Sequence, residues 1–190
     1  APGGGSISAY MAVLGASLGT MVANLSSHKP GWDERWEEFS QYAETGQQLK
    51  DELMHLVDED TRSFNKIMDA LGLPKGTPEE KAARKAAMQA ATQYATEVPF
   101  KTMQKAAEVL PLCKAMAEIG NPNSVSDAGV GALAATAGVR GAFLNVKINA
   151  GGIEDKVWAA DIIAKAQKVH DDALKLEAEI MLQVEKVIAG

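Results

Sequence analysis

Apolar positions recur along this chain at three- and four-residue spacings, and no stretch alternates long enough to make a convincing strand. Between residues 154 and 188 they fall at Val157, Ile162, Ala166, Val169, Leu176, Ile180, Val184 and Val187, the stripe of an amphipathic helix. Between residues 33 and 71, Leu49, Leu53, Leu56, Phe64, Ile67 and Leu71 share one narrow face. Breakers divide the chain into about six predicted helices. The first runs about Ser6–Ser26, stopped by His28-Lys29-Pro30-Gly31. The second covers about Asp33–Leu71, with Gly46 a weak point and Gly72 the stop. Thr77-Pro78-Glu79-Glu80 has the form of a capping box with proline at the first helical position; it opens a third helix ending near Val98-Pro99. A fourth spans about Pro99–Ile119 and is bent by Pro111, a fifth about Asp127–Asn149, and a sixth about Glu154–Ile188. Long helices with short joints predict an all-α protein, a multihelical antiparallel bundle or array in one domain over residues 1–190.

Three sets of polar residues interrupt these apolar faces. Asp60 falls near the centre of the Leu49–Leu71 stripe, where a carboxylate is costly unless it is paired, hydrogen-bonded or used. It is read either as a buried partner of a neighbouring helix or as an acid–base group tuned by burial. In the fifth helix Asp127, Gly131, Ala134, Gly138, Gly141, Ala142, Asn145 and Asn149 lie within about 100° of arc. Tight helix packing explains such a face. So does a shallow floor for a flat polar ligand, with glycines allowing close approach and Asp and Asn supplying directed hydrogen bonds. Arg140 and Lys147 share another face, as solvated charges or as an anchor for an anionic tail. In the first helix Ser6, Tyr10, Ser17 and Asn24 form a polar line behind the run Pro2-Gly3-Gly4-Gly5, which exposes backbone N–H groups where a helix start favours anions.

Composition narrows the chemistry. The net charge of −6 argues against a broad nucleic-acid surface. One cysteine, Cys113, sits among Leu110, Leu112 and Met116; it makes no disulfide framework and suits a reducing, cytoplasmic compartment. His28, His55 and His170 have no metal-ligand spacing, so no metal is expected. Residues 7–25 form the only stretch apolar enough to raise a membrane span; Ser8, Ser17, Thr20 and Asn24 make a buried helix the better reading, and no membrane partner is expected. The abrupt start at Ala1, without Met, reads as a piece of a longer chain.

The segment Gly120-Asn121-Pro122-Asn123-Ser124-Val125-Ser126-Asp127-Ala128-Gly129 concentrates small polar groups before the fifth helix, where Ser124 or Ser126 can cap and Asp127 complements the dipole. Together with Pro2-Gly3-Gly4-Gly5-Ser6-Ile7-Ser8-Ala9, Asp58-Glu59-Asp60-Thr61-x-x-Phe64 and Gly141-Ala142-x-x-Asn145-Val146-x-x-Asn149, it resembles the signatures of the cyclodeaminase/cyclohydrolase family of folate enzymes, in order along nearly the whole chain.

That resemblance implies a multihelical domain that forms homodimers, lacks here the family's first helix, and acts on one-carbon units carried by tetrahydrofolate. Two activities occur in the family. One is the cyclodeaminase part of formimidoyltransferase-cyclodeaminase, in histidine degradation, which closes 5-formimidoyltetrahydrofolate to 5,10-methenyltetrahydrofolate and releases ammonia; the other is methenyltetrahydrofolate cyclohydrolase. The first is favoured here, on the abrupt start, with a fused or associated formimidoyltransferase domain as a partner. A non-catalytic folate-binding or dimerising module is a further alternative. The assigned roles are Asp60 as the acid–base group and Asp127 as pterin ligand or second proton carrier. Asn121, Asn123, Ser124, Asn145 and Asn149 orient folate. Gly3, Gly4, Gly5 and Ser6 cover it or hold its glutamate end, and Arg140 or Lys147 attracts a polyglutamate tail.

Overall fold

The computed structural model describes residues 3–190; Pro2 of the glycine signature lies outside them. Five long helices follow one another: α1 (Gly4–Ser27), α2 (Trp36–Leu71), α3 (Pro78–Ile119), α4 (Val125–Ala150) and α5 (Lys156–Ala189). Single 3₁₀ turns, Asp33–Arg35 and Pro122–Ser124, lead into α2 and α4. No strand occurs among the described residues.

The six predicted helices become five because Pro99 does not divide α3, which runs through both Pro99 and Pro111. Pro99 has no N–H for the carbonyl of Ala95 four residues earlier. The Asn149 side-chain amide, on α4, donates to that carbonyl instead at 2.6 Å. A tertiary contact thus replaces the missing helical bond. The predicted capping box opens α3 as expected: Thr77 Oγ1 accepts from Glu80 N at 3.2 Å and Glu80 Oε2 accepts from Thr77 N at 3.0 Å. The start of α4 differs. Ser124 makes no side-chain cap; Asn121 Oδ1 accepts from Asn123 N within the preceding turn, and Asn121 N donates to Ser26 Oγ at 2.8 Å. The turn is therefore tied to the end of α1.

α1 is the axis of the packing, in contact with α2, α3 and α4. It and the segment Pro122–Ala150 are long and apolar enough to cross a membrane, but 61% and 56% of their most apolar windows are buried inside the fold, so they serve as its central helices. Small residues let the backbones approach. A Cβ on Gly15 would lie 2.6 Å from the Gly131 carbonyl oxygen, and one on Gly138 would lie 2.7 Å from that of Ser8. Gly46 is likewise a packing position in a continuous helix and not a weak point, since a Cβ there would meet Thr20 Oγ1 at 2.2 Å. The core is built on alanine with Phe39, Leu53, Met103, Leu110 and Met116 fully enclosed.

Burial along α2 stops halfway. Leu49, Leu53 and Leu56 are in the core, whereas Phe64 is 59% exposed and Leu71 44%. The last turns of α2 and the first of α3 project beyond the other helices as a hairpin arm, most of whose residues are exposed. Asp60 lies where core gives way to arm.

Candidate functional site

α1 begins in a run of glycines because that end meets a carboxylate at close range. Ser6 donates both its backbone N–H (2.8 Å) and its hydroxyl (2.9 Å) to Asp60 Oδ2. A Cβ on Gly5 would lie 2.0 Å from Asp60 Oδ1, so no other residue fits there without moving the carboxylate. Asp60 thus caps α1 from another helix, against the positive end of the helix dipole. Oδ1 takes no hydrogen bond from the described residues. Thr61 Oγ1 lies 3.3 Å from Ser6 Oγ, and Ser63 Oγ donates to the Asp60 carbonyl at 2.8 Å, fixing the turn of α2 that carries the carboxylate.

A cleft of about 380 Å³ opens beside this contact, lined by Gly3, Gly4, Gly5, Asp60, Asn145 and Asn149, with Thr61, Ser63, Phe64, Asn65, Ile67 and Ala95 completing the wall. Asn145 and Asn149 come from the end of α4, one turn apart. Asn145 Nδ2 donates to the Gly141 carbonyl at 2.9 Å, and Asn149 Nδ2 to that of Ala95. Each amide nitrogen spends one of its two N–H groups on these contacts, and each side chain keeps its oxygen as an acceptor. Gly4 sits against Asn145, where a Cβ would come within 3.4 Å of Nδ2. The cleft therefore holds one carboxylate, the amides of Asn65, Asn145 and Asn149, hydroxyls and the N–H groups of a helix start, with the half-exposed Phe64 ring at its edge.

Of the residues expected at the site, Gly3, Gly4, Gly5, Ser6, Asp60, Asn145 and Asn149 come together. Asn121, Asn123, Ser124 and Asp127 do not: Asp127 is 18 residues from Asn145 on one straight run of α4, about 27 Å of helical rise. The reading of the small-residue face of α4 as a ligand floor is also corrected. Its middle is filled by α1, with Gly131 against Gly15, and Gly138 and Gly141 against Ser8. Only the Asn145–Asn149 end opens to the cleft. Arg140 is exposed on the outer side of α4, and Lys147 lies over the Phe143 ring at 4.3 Å. The sequence reading missed Ser63 and Ala95. Ser63 follows Asp60 by three residues, the spacing that returns a hydroxyl to a carbonyl, and Ala95 is the position four before Pro99.

Beside the cleft, Tyr94 donates to Glu59, and Arg62 Nη1 donates to the same carboxylate at 3.1 Å. The Tyr94 hydroxyl, then Arg62, hold Glu59 below its ordinary range, and the Glu59 carboxylate raises Tyr94 above its own. These contacts occupy Glu59 and leave Asp60 as the carboxylate of the cleft.

A formiminotransferase-cyclodeaminase family model matches residues 1–168. The chain is 38% identical over 179 residues to the methenyltetrahydrofolate cyclohydrolase of Methylorubrum extorquens, covering 94% of this chain and 86% of that one. It is 36% identical over 186 residues to the formimidoyltransferase-cyclodeaminase of Gallus gallus, covering 98% of this chain and 34% of that one, so it spans about a third of that relative's length. The fold is similar to the crystal structure of a formiminotetrahydrofolate cyclodeaminase from Thermotoga maritima, with a TM-score of 0.78 over all of this chain and 88% of the other, at 24% identity.

Proposed function

The chain belongs to the formiminotransferase-cyclodeaminase family, and from that premise we propose that it is a formimidoyltetrahydrofolate cyclodeaminase with Asp60 as its acid–base group. The observation that carries this reading is the single carboxylate set among neutral amides and helix N–H groups at one cleft. A pterin presents an amino group and a ring N–H on one edge, and Asn145 Oδ1 and Asn149 Oδ1 are acceptors for them. Phe64 offers a ring face at the edge of the cleft. In the reaction N10 attacks the formimidoyl carbon, the C–N bond to the departing nitrogen breaks, and ammonia leaves. The formimidoyl group enters protonated, as an amidinium; Asp60 removes the N10 proton and passes it to the departing nitrogen, which leaves as ammonia while the methenyl product keeps the positive charge, so one carboxylate serves both halves. Its charge also stabilises the cationic methenyl product.

Cyclohydrolase activity is the second reading, favoured by the Methylorubrum extorquens relative, which matches over most of its own length. There Asp60 activates water against the methenyl carbon. Supplying 5-formimidoyltetrahydrofolate and following methenyl product and ammonia tests the first reading. Supplying methenyltetrahydrofolate and comparing its decay with the spontaneous rate tests the second. Turnover in neither assay sinks both.

A homodimer is part of this reading. α1 carries no charged residue, and Ile7, Tyr10, Leu14, Met21 and Leu25 leave an exposed stripe along it. Val130, Leu133, Leu144 and Ile148 continue the surface on adjoining α4. Their exposed parts sum to roughly 900 Å², about one partner's share of a standard interface and more than a monomer ordinarily shows. An antiparallel pairing of two α1 stripes sets the Asn121–Asp127 end of one subunit beside the Gly3–Asp60 end of the other, which is how the separated signature residues reach one cleft.

A further inference from the structure

Four helices frame the cleft, and each neighbouring pair is tied at its level. Ser6 and Asp60 join α1 to α2, Ala95 and Asn149 join α3 to α4, and Asn145 closes on Gly4 between α4 and α1. The remaining pair, α2 and α3, is joined where the Tyr94 hydroxyl donates to Glu59. Each of these two residues precedes a cleft residue in the chain, Glu59 before Asp60 and Tyr94 before Ala95. The next polar contacts between α2 and α3 are Lys105 with Glu52 at 2.8 Å and Arg84 Nη2 with the Leu71 carbonyl at 3.0 Å. They lie about 10 Å and about 18 Å of helical rise from Glu59, so near the cleft the Tyr94 contact stands alone among the described residues.

Tyr94 and Glu59 line no part of the cleft; they fill the seam behind it. His55, Glu59, Arg62 and Lys66 follow one another at three- and four-residue spacings and so share one face of α2. Arg62 Nη1 donates to Glu59 Oε2 at 3.1 Å, His55 Nε2 lies 3.9 Å from the same oxygen, and Lys66 Nζ stands 3.7 Å from the centre of the Tyr94 ring. The contact also sits where α2 and α3 leave the core as the arm: beyond it on α2, only Ser63 and Ala70 are buried. Apolar packing has no preferred direction and sets the rotation of a helix loosely at such a place, whereas a hydrogen bond across the seam fixes it.

We infer that Tyr94 is a positioning residue: its hydroxyl fixes Glu59, and with it the turn of α2 that holds Asp60 against the start of α1. Ser63, whose hydroxyl donates to the Asp60 carbonyl at 2.8 Å, stiffens the same turn from within, so a displacement of Glu59 carries Asp60 with it. The link to turnover rests on the reading of Asp60 as the acid–base group. A base moved slightly from its reacting proton loses rate without losing the ligand, which the asparagines and Phe64 hold.

The test compares Tyr94→Phe, which keeps the ring beside Lys66 and removes the hydroxyl, with Thr77→Ala, which removes the helix cap at the far end of the arm and loses stability there instead. Two readouts are taken. One is kcat and KM with 5-formimidoyltetrahydrofolate or methenyltetrahydrofolate, whichever the parent turns over. The other is hydrogen exchange at the Ser6 amide, whose acceptor among the described residues is Asp60. In Tyr94→Phe, kcat is expected to fall about tenfold with KM within about twofold of the parent, and the Ser6 amide to exchange about tenfold faster. Thr77→Ala is expected to leave both readouts as in the parent. A parent-like kcat, a loss carried by KM, or a parent-like Ser6 exchange in Tyr94→Phe overturns the inference. So does Thr77→Ala producing the same changes, since they would then follow from stability at large. A parent that turns over neither folate strikes the functional reading instead. The Ser6 amide then decides alone: faster exchange in Tyr94→Phe but not in Thr77→Ala sustains the positioning role, and an unchanged rate overturns it.

Discussion

Asn149 donates its side-chain amide to the carbonyl of Ala95, the acceptor that Pro99 leaves without its helical donor. One contact joins a helix repair to the wall of the cleft. Replacing Asn149 by Leu strands a buried carbonyl, and a loss of about 1–3 kcal/mol is expected in urea unfolding. Pro99→Ala restores an N–H at the right position. The double variant Asn149→Leu/Pro99→Ala is therefore expected to recover much of that stability. Simple addition of the two single effects would show that Asn149 is not repairing the helix.

Gly5 and Asp60 give a sharper steric test. A methyl group on Gly5 would overlap the carboxylate, whereas one on Gly3 meets nothing within 4 Å. Gly5→Ala is expected to cut turnover by at least about tenfold through displacement of Asp60, while Gly3→Ala keeps its stability. Asp60→Asn leaves the hydrogen bonds from Ser6 available and is expected to abolish turnover with folate binding and the unfolding midpoint little changed. Undiminished turnover in Asp60→Asn would remove it from the chemistry.

Tyr94 and Glu59 link stability to pH. Glu59 is held below its ordinary 4.5, so its contribution is present above that value and is lost as pH falls through the lower folded one. Tyr94 is raised above 10, so its contribution is present below 10 and is lost as pH rises through the folded value. Tyr94→Phe is expected to cost about 1–2 kcal/mol near neutral pH, with the gap from the parent closing under acid. Denaturant titrations at a series of pH values measure it; a gap that stays constant into acid would show that the Glu59 contact contributes nothing.

Cys113 is fully buried, and burial pushes its thiol up to about 12. A neutral thiol behind a packed wall does not react. Labelling with a thiol reagent is expected to follow unfolding, with native protein unmodified over hours and denatured protein modified at once. Rapid labelling of the native chain would contradict the packing around Gly19 and Gly131, whose missing side chains make room for the sulfur.

The proposed antiparallel dimer is open to a complementation experiment. Asp60→Asn and Asp127→Asn are each expected to inactivate a homodimer. Mixed and refolded together they are expected to regain about a quarter of parent activity, because one site in each mixed dimer then has both native carboxylates. A mixture as inactive as its components would place Asp127 outside the shared cleft, and a monomer in solution would remove the interface itself.

Much of this protein was legible in its sequence because helices are local. Three- and four-residue spacings and the glycine breaks delimited α1, α2, α4 and α5 to within a few residues, and the Thr77–Glu80 box marked the start of α3, since each signal acts within a turn or two of the residue that carries it. Asp60 stood out for the same reason, as a charge in the middle of an apolar stripe. What needed the tertiary structure was every decision made by a neighbour. Pro99 reads as a helix end until Asn149 arrives from another helix to take over its lost hydrogen bond. The small-residue face of α4 reads equally as floor or as packing seam until α1 is seen lying in it. Phe64 and Leu71 read as core until the arm carries them past the last helix able to cover them. Local spacing determines which residues share a face; only the packed fold decides what that face meets, because burial and hydrogen-bond satisfaction depend on atoms brought from distant parts of the chain.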